Sequence, residues 1–462
     1  MRISDIFNFL KEYLALGILG VLIIGLLFFI GYKIIYQKLL HGKKKIKYKK
    51  LILCGISICY FSVIFGAVFL NRSNVYGIIN LHIFSSYIEA YHMMSSSLSR
   101  NIILNILLFV PFGILLPLYN KKINKLFKVV PIGFITSLLI EIIQYNTKFG
   151  IFEIDDVINN TFGVLIGYGL YKVYLNTRNK ESKINIIKYL SPIIVVIIST
   201  LIIQIKYQNQ EFGNLPFEYN YKINMKNIRV TSNIEFNDKQ IKKSIYYFKP
   251  LTKEDTRKKA NEFLEKLGTT IKEDETDFYE YTAIYKSKDN KYSIWIDFDD
   301  GAYIFSEYSN FNNNIKPKTG IEKEKILKIL NEFGINIPSS AIFEEKEDSY
   351  HFNVNVSSED KIIEGTLNCT YYNDNTIKRI DNRIVTYKKN NEKTIISEKE
   401  AYQKILDGKF QYETYLGKIN EIIIENISLR YHLDSKGYYV PTYVFNAKIN
   451  DKDTHILIKA IK

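Results

Sequence analysis

Polar and ionisable residues interrupt the apolar stretches in the first half of this chain. Charges and amides are costly to bury in hydrocarbon, so those found within membrane segments are candidate functional groups. Here they are carboxylates and carboxamides, which can hydrogen-bond to a polar ligand or pair with its charge. The predicted ligand-binding set is Asn105, Glu141, Gln144, Asp155, Asp156 and Asn160.

The spacing of these residues predicts that they meet. Glu141 and Gln144 are three positions apart, and Asp156 and Asn160 are four apart. Each pair therefore shares one face of a helix. Asn105 enters at the same depth from an earlier apolar segment. We expect the set to form a ligand pocket near the outer membrane surface.

Residues suited to close helix packing flank the polar ones. Two glycines continue the helical stripe of Asp156 and Asn160 as a small-xxx-small pair, which permits close contact between helices. Two prolines, at positions 111 and 117, are expected to kink their segment and free backbone carbonyls. The predicted structural set is Phe109, Pro111, Gly113, Gly163 and Gly167.

A purely structural role is the alternative for the polar set. Asn and Gln in membrane helices often serve only as hydrogen-bonding glue between helices, and acids in short loops are often solvated. Glu141 is the hardest to explain in this way. A carboxylate in hydrocarbon must be paired or protonated.

Catalysis and metal binding receive little support from the sequence. His82, Glu89 and His92 lie in one loop, and the last two have the i, i+3 spacing of a helical ligand pair. That loop shows no clear helical pattern, and two His with one Glu are a weak metal motif. No G-x-S-x-G nucleophile motif occurs. We predict no catalytic residue, no metal and no cofactor.

Six apolar segments carry the candidate residues. A helix needs about 20 residues to cross a bilayer core. The segments are Leu14–Tyr36, Leu51–Leu70, Ile102–Tyr119, Leu126–Ile143, Val157–Leu175 and Tyr189–Ile205. They predict a membrane α-helical bundle of about six spans in residues 1–206. The fifth segment opens with polar residues, so a tilted or partly re-entrant helix is the alternative there.

Basic loops set the predicted orientation. Residues 33–50, 120–128 and 172–188 hold eight, four and five Lys or Arg, and such loops are cytoplasmic. With six spans all three lie on one side. We therefore expect a multi-pass cell-membrane protein whose N-terminus and C-terminal domain are extracytoplasmic.

Composition argues against a nucleic-acid partner. The chain has 462 residues and a net charge of +14. Residues 1–210 hold 23 of the 62 Lys and Arg but only 8 of the 48 Asp and Glu, so the basic excess flanks the apolar segments. The three cysteines are too few and too scattered for a disulfide framework or a cysteine-rich zinc site.

Residues 207–462 contain no further apolar run. Amphipathic helices are predicted at Thr252–Leu267, Ile321–Phe333 and Ser397–Leu406. Aromatic-rich strands follow them, for example at Tyr292–Phe298, His351–Val356 and Tyr438–Lys448. The pattern predicts an α+β extracytoplasmic domain of three repeated helix-plus-meander units.

Three motifs in roughly residues 50–175 resemble the VanZ-like family. Residues 105–113, 141–144 and 151–163 are similar to its N-x-x-x-F-x-P-x-G, E-x-x-Q and F-D-x-D-D-x-x-x-N-T-x-G signatures, with Glu153 where the family usually has Asp. The resemblance implies a bacterial envelope protein linked to low-level resistance to glycopeptides such as teicoplanin. The family's molecular activity is not settled.

The end of the chain resembles YycI-like or PepSY-like extracytoplasmic domains, which are regulatory or protein-binding modules of low-GC Gram-positive bacteria. The residues that carry this second resemblance are Ile396–Tyr402, Ser428–Tyr431 and Gly437–Phe445. It implies that this domain binds a peptide or an envelope protein.

The favoured function is a non-enzymatic envelope factor that contributes to glycopeptide tolerance. Its pocket would bind a membrane-lipid headgroup or a lipid-linked cell-wall precursor. One alternative is a membrane-anchored sensor or scaffold that acts on a partner protein through its ectodomain. Another is a small-molecule transporter, and an intramembrane hydrolase has the least support.

Overall fold

The computed structural model describes residues 3–39, 48–66, 78–180, 182–308, 315–412 and 417–461. The chain forms two compact units, and the change from the first to the second falls after Gln210. Residues 92–94 cluster with the second unit and Gly417 with the first. The predicted boundary after residue 206 therefore falls in the last turn of a helix.

The first unit is helical. Its helices are α1 (Ile3–Ile30), α2 (Tyr48–Phe65), α3 (Ser85–His92), α4 (Ser96–Tyr119), α5 (Leu126–Thr147), α6 (Ile154–Arg178) and α7 (Lys183–Asn209). A π-helical stretch, Gly31–Leu39, continues α1. Two short strands, β1 (Ile79–Asn80) and β2 (Phe152–Glu153), pair in parallel.

Among the described residues, five helices are long and apolar enough to cross a membrane: α1, α2, α4, α5 and α7. They account for five of the six predicted segments and confirm a membrane helical bundle. Residues 67–70 of the second segment and 40–47 of the basic loop before it lie outside the described residues. The remaining segment, Val157–Leu175, lies within α6.

Helix α6 is more polar than the five apolar helices because neighbouring helices shield its polar residues from lipid. It packs against α4, α5 and α7, and its buried residues occupy several faces, including Asp156, Asn160, Val164 and Tyr171. It is a single helix of 25 residues, which at 1.5 Å per residue is about 37 Å long and exceeds a bilayer core of about 30 Å. Helix α6 is therefore not a short re-entrant helix.

Contacts along α6 show its direction. Gly163 approaches Ile106 and Gly167 approaches Val110, so α6 runs parallel to α4. Tyr168, in the second half of α6, donates a hydrogen bond to the carbonyl oxygen of Asn124 in the loop that joins α4 to α5. Helix α6 therefore runs the full length of the bundle, as the parity of the predicted spans requires. The side of the membrane on which each end lies stays a prediction.

The second unit is built on one mixed sheet. Its strands are β3 (Arg229–Ser232), β4 (Lys242–Tyr247), β5 (Asp277–Phe278), β6 (Thr282–Lys286), β7 (Tyr292–Asp297), β8 (Tyr303–Glu307), β9 (Ile342–Lys346), β10 (Ser349–Ser357), β11 (Lys361–Tyr371), β12 (Ile377–Asn382), β13 (Val385–Thr394), β14 (Glu421–Leu433), β15 (Tyr438–Ile449) and β16 (Lys452–Lys459). The central order is β3-β14-β15-β4-β13-β11-β12-β8-β7-β6-β5. Strand β10 joins β11 and β9, and β16 joins β15. Among the described strand pairs of this sheet, only β14 with β3 is parallel.

The three predicted helices of this unit are confirmed as α8 (Lys253–Glu265), α9 (Lys323–Glu332) and α10 (Glu398–Leu406). Capping boxes start α8 at Thr252 and α10 at Ser397. Helices α8 and α9 contribute to one apolar core against the sheet, and α10 contributes to a second. Each helix precedes a run of antiparallel strands, so the expected α+β helix-plus-meander organisation is confirmed.

A buried ion group joins two strands of the second unit. Lys378 is 2% exposed, and its Nζ lies 3.1 Å from a carboxylate oxygen of both Glu307 and Asp374. Burial alone would lower the pKa of Lys378, but the two carboxylates outweigh burial and raise it. Burial would likewise raise the pKa of Asp374, but its bonds from Thr376 and Lys378 lower it.

Replacing this lysine should destabilise the second unit. Lys378→Met would leave two acids facing each other without their cation, which should lower the free energy of unfolding by about 2 to 4 kcal/mol. Urea unfolding of residues 211–462 would measure the change. Lys399→Met is the matched control, because its ion pair with Asp238 is exposed and such pairs are worth about 1 kcal/mol or less.

The same group has a defined pH dependence. The lowered pKa of Asp374 adds stability above its ordinary value of 3.8, and this stability disappears as the pH falls through the lowered pKa. The raised pKa of Lys378 adds stability below its ordinary value of 10.5, which disappears as the pH rises through the raised pKa. The gap between parent and variant should therefore hold near neutral pH and shrink in acid. A gap that widens in acid would contradict this account.

The predicted topology can be tested at exposed positions. In a background with the native cysteines changed to Ala, Asn146→Cys and Ser358→Cys should react with an impermeant maleimide on intact cells. Lys121→Cys should react only after permeabilisation, because positively charged loops stay cytoplasmic. All three positions are exposed. Labelling of Lys121→Cys on intact cells would show that the predicted orientation is wrong.

Candidate functional site

Helices α4 and α6 touch through their backbones. A Cβ atom added to Gly163 would lie 2.0 Å from the carbonyl oxygen of Ile106, and one on Gly167 would lie 2.0 Å from that of Val110. On the other helix, a Cβ on Gly113 would lie 2.2 Å from a backbone oxygen of α6. Any residue larger than glycine would separate the helices at these points.

The other two residues of the predicted structural set also lie in α4. Phe109 is fully buried, in an apolar cluster that also contains Tyr60, Val164 and Tyr168. Helix α4 continues through both Pro111 and Pro117. The prolines therefore do not end the helix, and neighbouring groups can satisfy backbone atoms freed by proline in a membrane helix.

The crossing of α4 and α6 places polar residues of three helices together. Asn105 Nδ2 donates to Asp156 Oδ1 at 2.5 Å, which links α4 to α6. Asn160 Nδ2 donates to Ser137 Oγ at 2.9 Å, which links α6 to α5. We define the polar cluster as Asn105, Ser137, Glu141, Gln144, Asp156 and Asn160.

Glu141 and Gln144 belong to the α5 side of this cluster. They are 2% and 1% exposed, and Ser137 lies one turn before Glu141 on the same face. Glu141 Oε2 accepts a hydrogen bond of 3.4 Å from the backbone N–H of Glu153, next to the start of α6. The polar residues that the spacing places on one face of α5 therefore lie against the start of α6.

Asp155 is not part of the cluster. Its Oδ1 accepts from the backbone N–H of Phe84 at 2.6 Å, and its Oδ2 accepts from the backbone N–H and the hydroxyl of Ser86 at 2.9 and 2.6 Å. These bonds hold the start of α3. Asp155 is 1% exposed. Its described hydrogen bonds fix the segment that precedes α4, so these contacts are structural.

Three residues of this region were not predicted. Ser137 could have been found from its spacing, because it continues the face of Glu141. Asn159 accepts a hydrogen bond from the hydroxyl of Tyr87 in α3, a contact between residues 72 positions apart in sequence. Local spacing cannot reveal such a pair.

The weak metal pattern is not assembled. Among the described residues, no group of three or more His, Cys, Asp or Glu side chains could hold a metal ion. Glu89 and His92 do lie in a helix, α3, although the sequence shows no helical pattern there. The reason is that Asp155, far along the chain, fixes the start of that helix.

The arrangement suits polar recognition. Two carboxylates, three carboxamides and one hydroxyl are held in place by helices on three sides and are largely removed from solvent. A site of this kind can bind and orient a polar or charged group.

Comparison with known proteins adds to this picture. Residues 51–175 match the VanZ/LLP1 family model. The whole polar cluster lies inside the matched segment, so the VanZ-like resemblance is confirmed there. The protein is thus a membrane protein with a VanZ-like segment.

Two individual proteins are similar to parts of the chain. Protein VanZ of Enterococcus faecium is 28% identical over 150 residues, which are 32% of this chain and 91% of that protein. The C-terminal domain of Bacillus megaterium YpeB is 14% identical and covers 46% of this chain and 95% of its own, with a TM-score of 0.19. A TM-score this low carries no argument about the fold, and the predicted YycI-like or PepSY-like resemblance stays a prediction.

Close contact of α4 and α6 predicts a steric test. Gly167→Ala should lower the yield and the melting temperature of detergent-purified protein, because the new Cβ meets a backbone oxygen and such overpacking costs about 1 to 3 kcal/mol. Gly25→Ala in α1 is the matched control, since a Cβ there would meet nothing within 4 Å. Equal melting temperatures for both variants would show that the helices do not touch at Gly167.

Proposed function

We propose that this VanZ-like membrane protein is a non-enzymatic envelope factor that binds a lipid headgroup or a lipid-linked wall precursor and so contributes to glycopeptide tolerance. The observation that carries the proposal is the buried polar cluster between α4, α5 and α6. The ligand-binding roles of the cluster residues and the orientation of the chain in the membrane are part of this proposal. Asp155, which was predicted to join them, instead accepts hydrogen bonds from Phe84 and Ser86.

The location of the cluster supports a ligand from the membrane. It lies near the end of the bundle where α5 ends and α6 begins, and lipid headgroups lie at this depth of a span. The basic loops are at the other end, at 120–128 and 172–188. By the positive-inside rule the cluster then faces the outer leaflet, where lipid-linked wall precursors are used.

The cost of burying the cluster supports a functional role. Glu141 is 2% exposed and Asp156 is 9% exposed, and carboxylates in a membrane helix are costly enough to be rare. Helix contact through glycine needs no acid. A ligand that pairs with these groups would explain why they are there.

A second function is favoured by the size of the C-terminal unit. The match to Protein VanZ uses 91% of that protein but only 32% of this chain, so the whole second unit is additional to it. A large folded domain with its own cores is suited to binding an envelope protein or peptide. In this scaffold function the membrane unit would mainly be an anchor.

Charge-removing variants test the proposed function. The double variant Glu141→Gln, Asp156→Asn keeps the size and most of the hydrogen bonding of both side chains but removes both charges. We expect the tolerance to teicoplanin conferred by the parent to be lost, as measured by the minimal inhibitory concentration. Protein level and membrane insertion should stay unchanged.

Glu89→Gln is the matched control, because it removes an acid of the same unit outside the cluster, and it should keep tolerance. A double variant that protects cells as well as the parent would overturn the ligand site. If residues 1–210 alone then failed to protect, the scaffold function would take its place. Residue 210 is the correct end for that truncation because α7 continues to Asn209.

A further inference from the structure

We propose that the second unit binds a neutral glycan chain on the open face of its sheet, with a sugar ring stacked on the side chain of Trp295. The open face is the surface of strands β6 to β12 that points away from helices α8 and α9. This inference goes beyond the function proposed above, because it concerns the second unit and uses no residue of the polar cluster.

Alternation along β7 places Trp295 on the open face. Ile294 and Ile296 belong to the apolar core that α8 and α9 share with the sheet. Successive side chains of a strand point to opposite surfaces, so Trp295, which lies between them, points away from the two helices. It is 45% exposed and is the only tryptophan of the chain. Tryptophan is highly buried on average, so this ring is unusually accessible to a ligand.

The strand register places a row of side chains across six strands, from β7 to β9. Each member is the cross-strand partner of the next, and directly opposite residues share a face of the sheet. The members of this Trp295 row are, in order, Trp295, Ile304, Asp381, Asn368, His351 and Glu344. Neighbouring strands lie about 4.8 Å apart, so the row is about 24 Å long. This length accommodates several sugar rings of one chain.

Hydrogen-bonding groups lie on both sides of the Trp295 row. Ser306, Arg379 and Thr370 follow one another across β8, β12 and β11 on one side. Thr366 and Asn353 are partners on the other side. Hydroxyl and carboxamide groups both donate and accept hydrogen bonds, and a guanidinium has five N–H donors. This mixture matches a sugar chain, whose hydroxyl and amide groups also donate and accept.

The acids of the Trp295 row are paired within the chain. Arg383 Nε lies 3.1 Å from Asp381 Oδ1, and Lys346 Nζ lies 2.7 Å from Glu344 Oε2. Arg379 adds one positive charge beside the row. The row and its neighbours therefore carry no large excess of either sign. Charge complementarity favours a neutral ligand over a polyanion or a basic peptide.

One exposed aromatic ring among polar groups suits a sugar better than a protein partner. The core of a protein interface is apolar and poor in charged residues, whereas Trp295 is the one exposed large apolar side chain of the row. A pyranose ring has an apolar face of C–H groups, and their slight positive charge is attracted to the negative face of an aromatic ring. The hydroxyl groups at the rim of the sugar would then meet the polar residues around Trp295.

Tryptophan emission of the full-length protein tests the proposal. Because the chain has a single tryptophan, its emission reports on the open face alone. The protein would be kept in a detergent without a sugar headgroup and titrated with chitotetraose or with cellotetraose, which has hydroxyls in place of the acetamido groups. We expect at least one of them to shift the emission to shorter wavelength in a saturable way and to weaken quenching by acrylamide. The tighter ligand identifies the preferred substituent.

Calorimetric titration of variants locates the binding surface. Trp295→Ala should weaken binding about tenfold, because tryptophans at the centre of a contact carry much of its energy. Trp295→Tyr should restore part of the affinity, since tyrosine keeps an aromatic face, and Asn368→Ala should weaken binding less than Trp295→Ala. Tyr219→Ala is the matched control, because Tyr219 is an exposed aromatic residue outside the strands. It should leave the affinity unchanged.

Three results would overturn the proposal. The first is an emission spectrum that neither sugar changes, together with no heat of binding. The second is binding that disappears at high salt, which would show ionic recognition. The third is an emission that shifts with protein concentration and not with sugar, which would show a contact between copies of the chain. The emission measurements use the parent protein, so they hold even if a variant fails to fold, and none of these results affects the ligand site proposed in the membrane unit.

Discussion

Backbone contact between α4 and α6 is the constraint on which the rest of the membrane unit depends. Gly163 and Gly167 allow α6 to approach the carbonyl oxygens of α4 more closely than any Cβ would permit. This approach brings Asn105 within hydrogen-bonding distance of Asp156. The glycines therefore determine where the polar groups meet, although they bind nothing themselves.

The central position of α6 explains its composition. A helix surrounded by other helices need not be apolar, because its polar groups find partners in protein and not in lipid. The two neighbouring acids at its start illustrate the division. Asp155 accepts hydrogen bonds from backbone and hydroxyl donors at the start of α3, whereas Asp156 accepts one from Asn105 in α4. These two adjacent residues thus contact different helices, because neighbouring side chains lie about 100° apart around a helix.

Much of this architecture could be read from the sequence, since it rests on local periodicity. Apolar runs revealed the helices, and the spacing of Glu141 to Gln144 and of Asp156 to Asn160 revealed which residues share a face. Contacts between distant residues could not be read in this way. The bond from Asp155 to Ser86 and the order of fourteen strands in one sheet depend on tertiary pairing, which no local pattern records.

The balance of donors and acceptors distinguishes a binding site from structural glue. Where polar residues only join helices, each donor is matched by an acceptor within the chain, as Asn105 is by Asp156. The carbonyl of Asn160 departs from this rule, because its oxygen is buried and the described residues offer it no donor. A buried acceptor without a donor costs about 1 to 3 kcal/mol, so it is unfavourable until an N–H or O–H group is supplied.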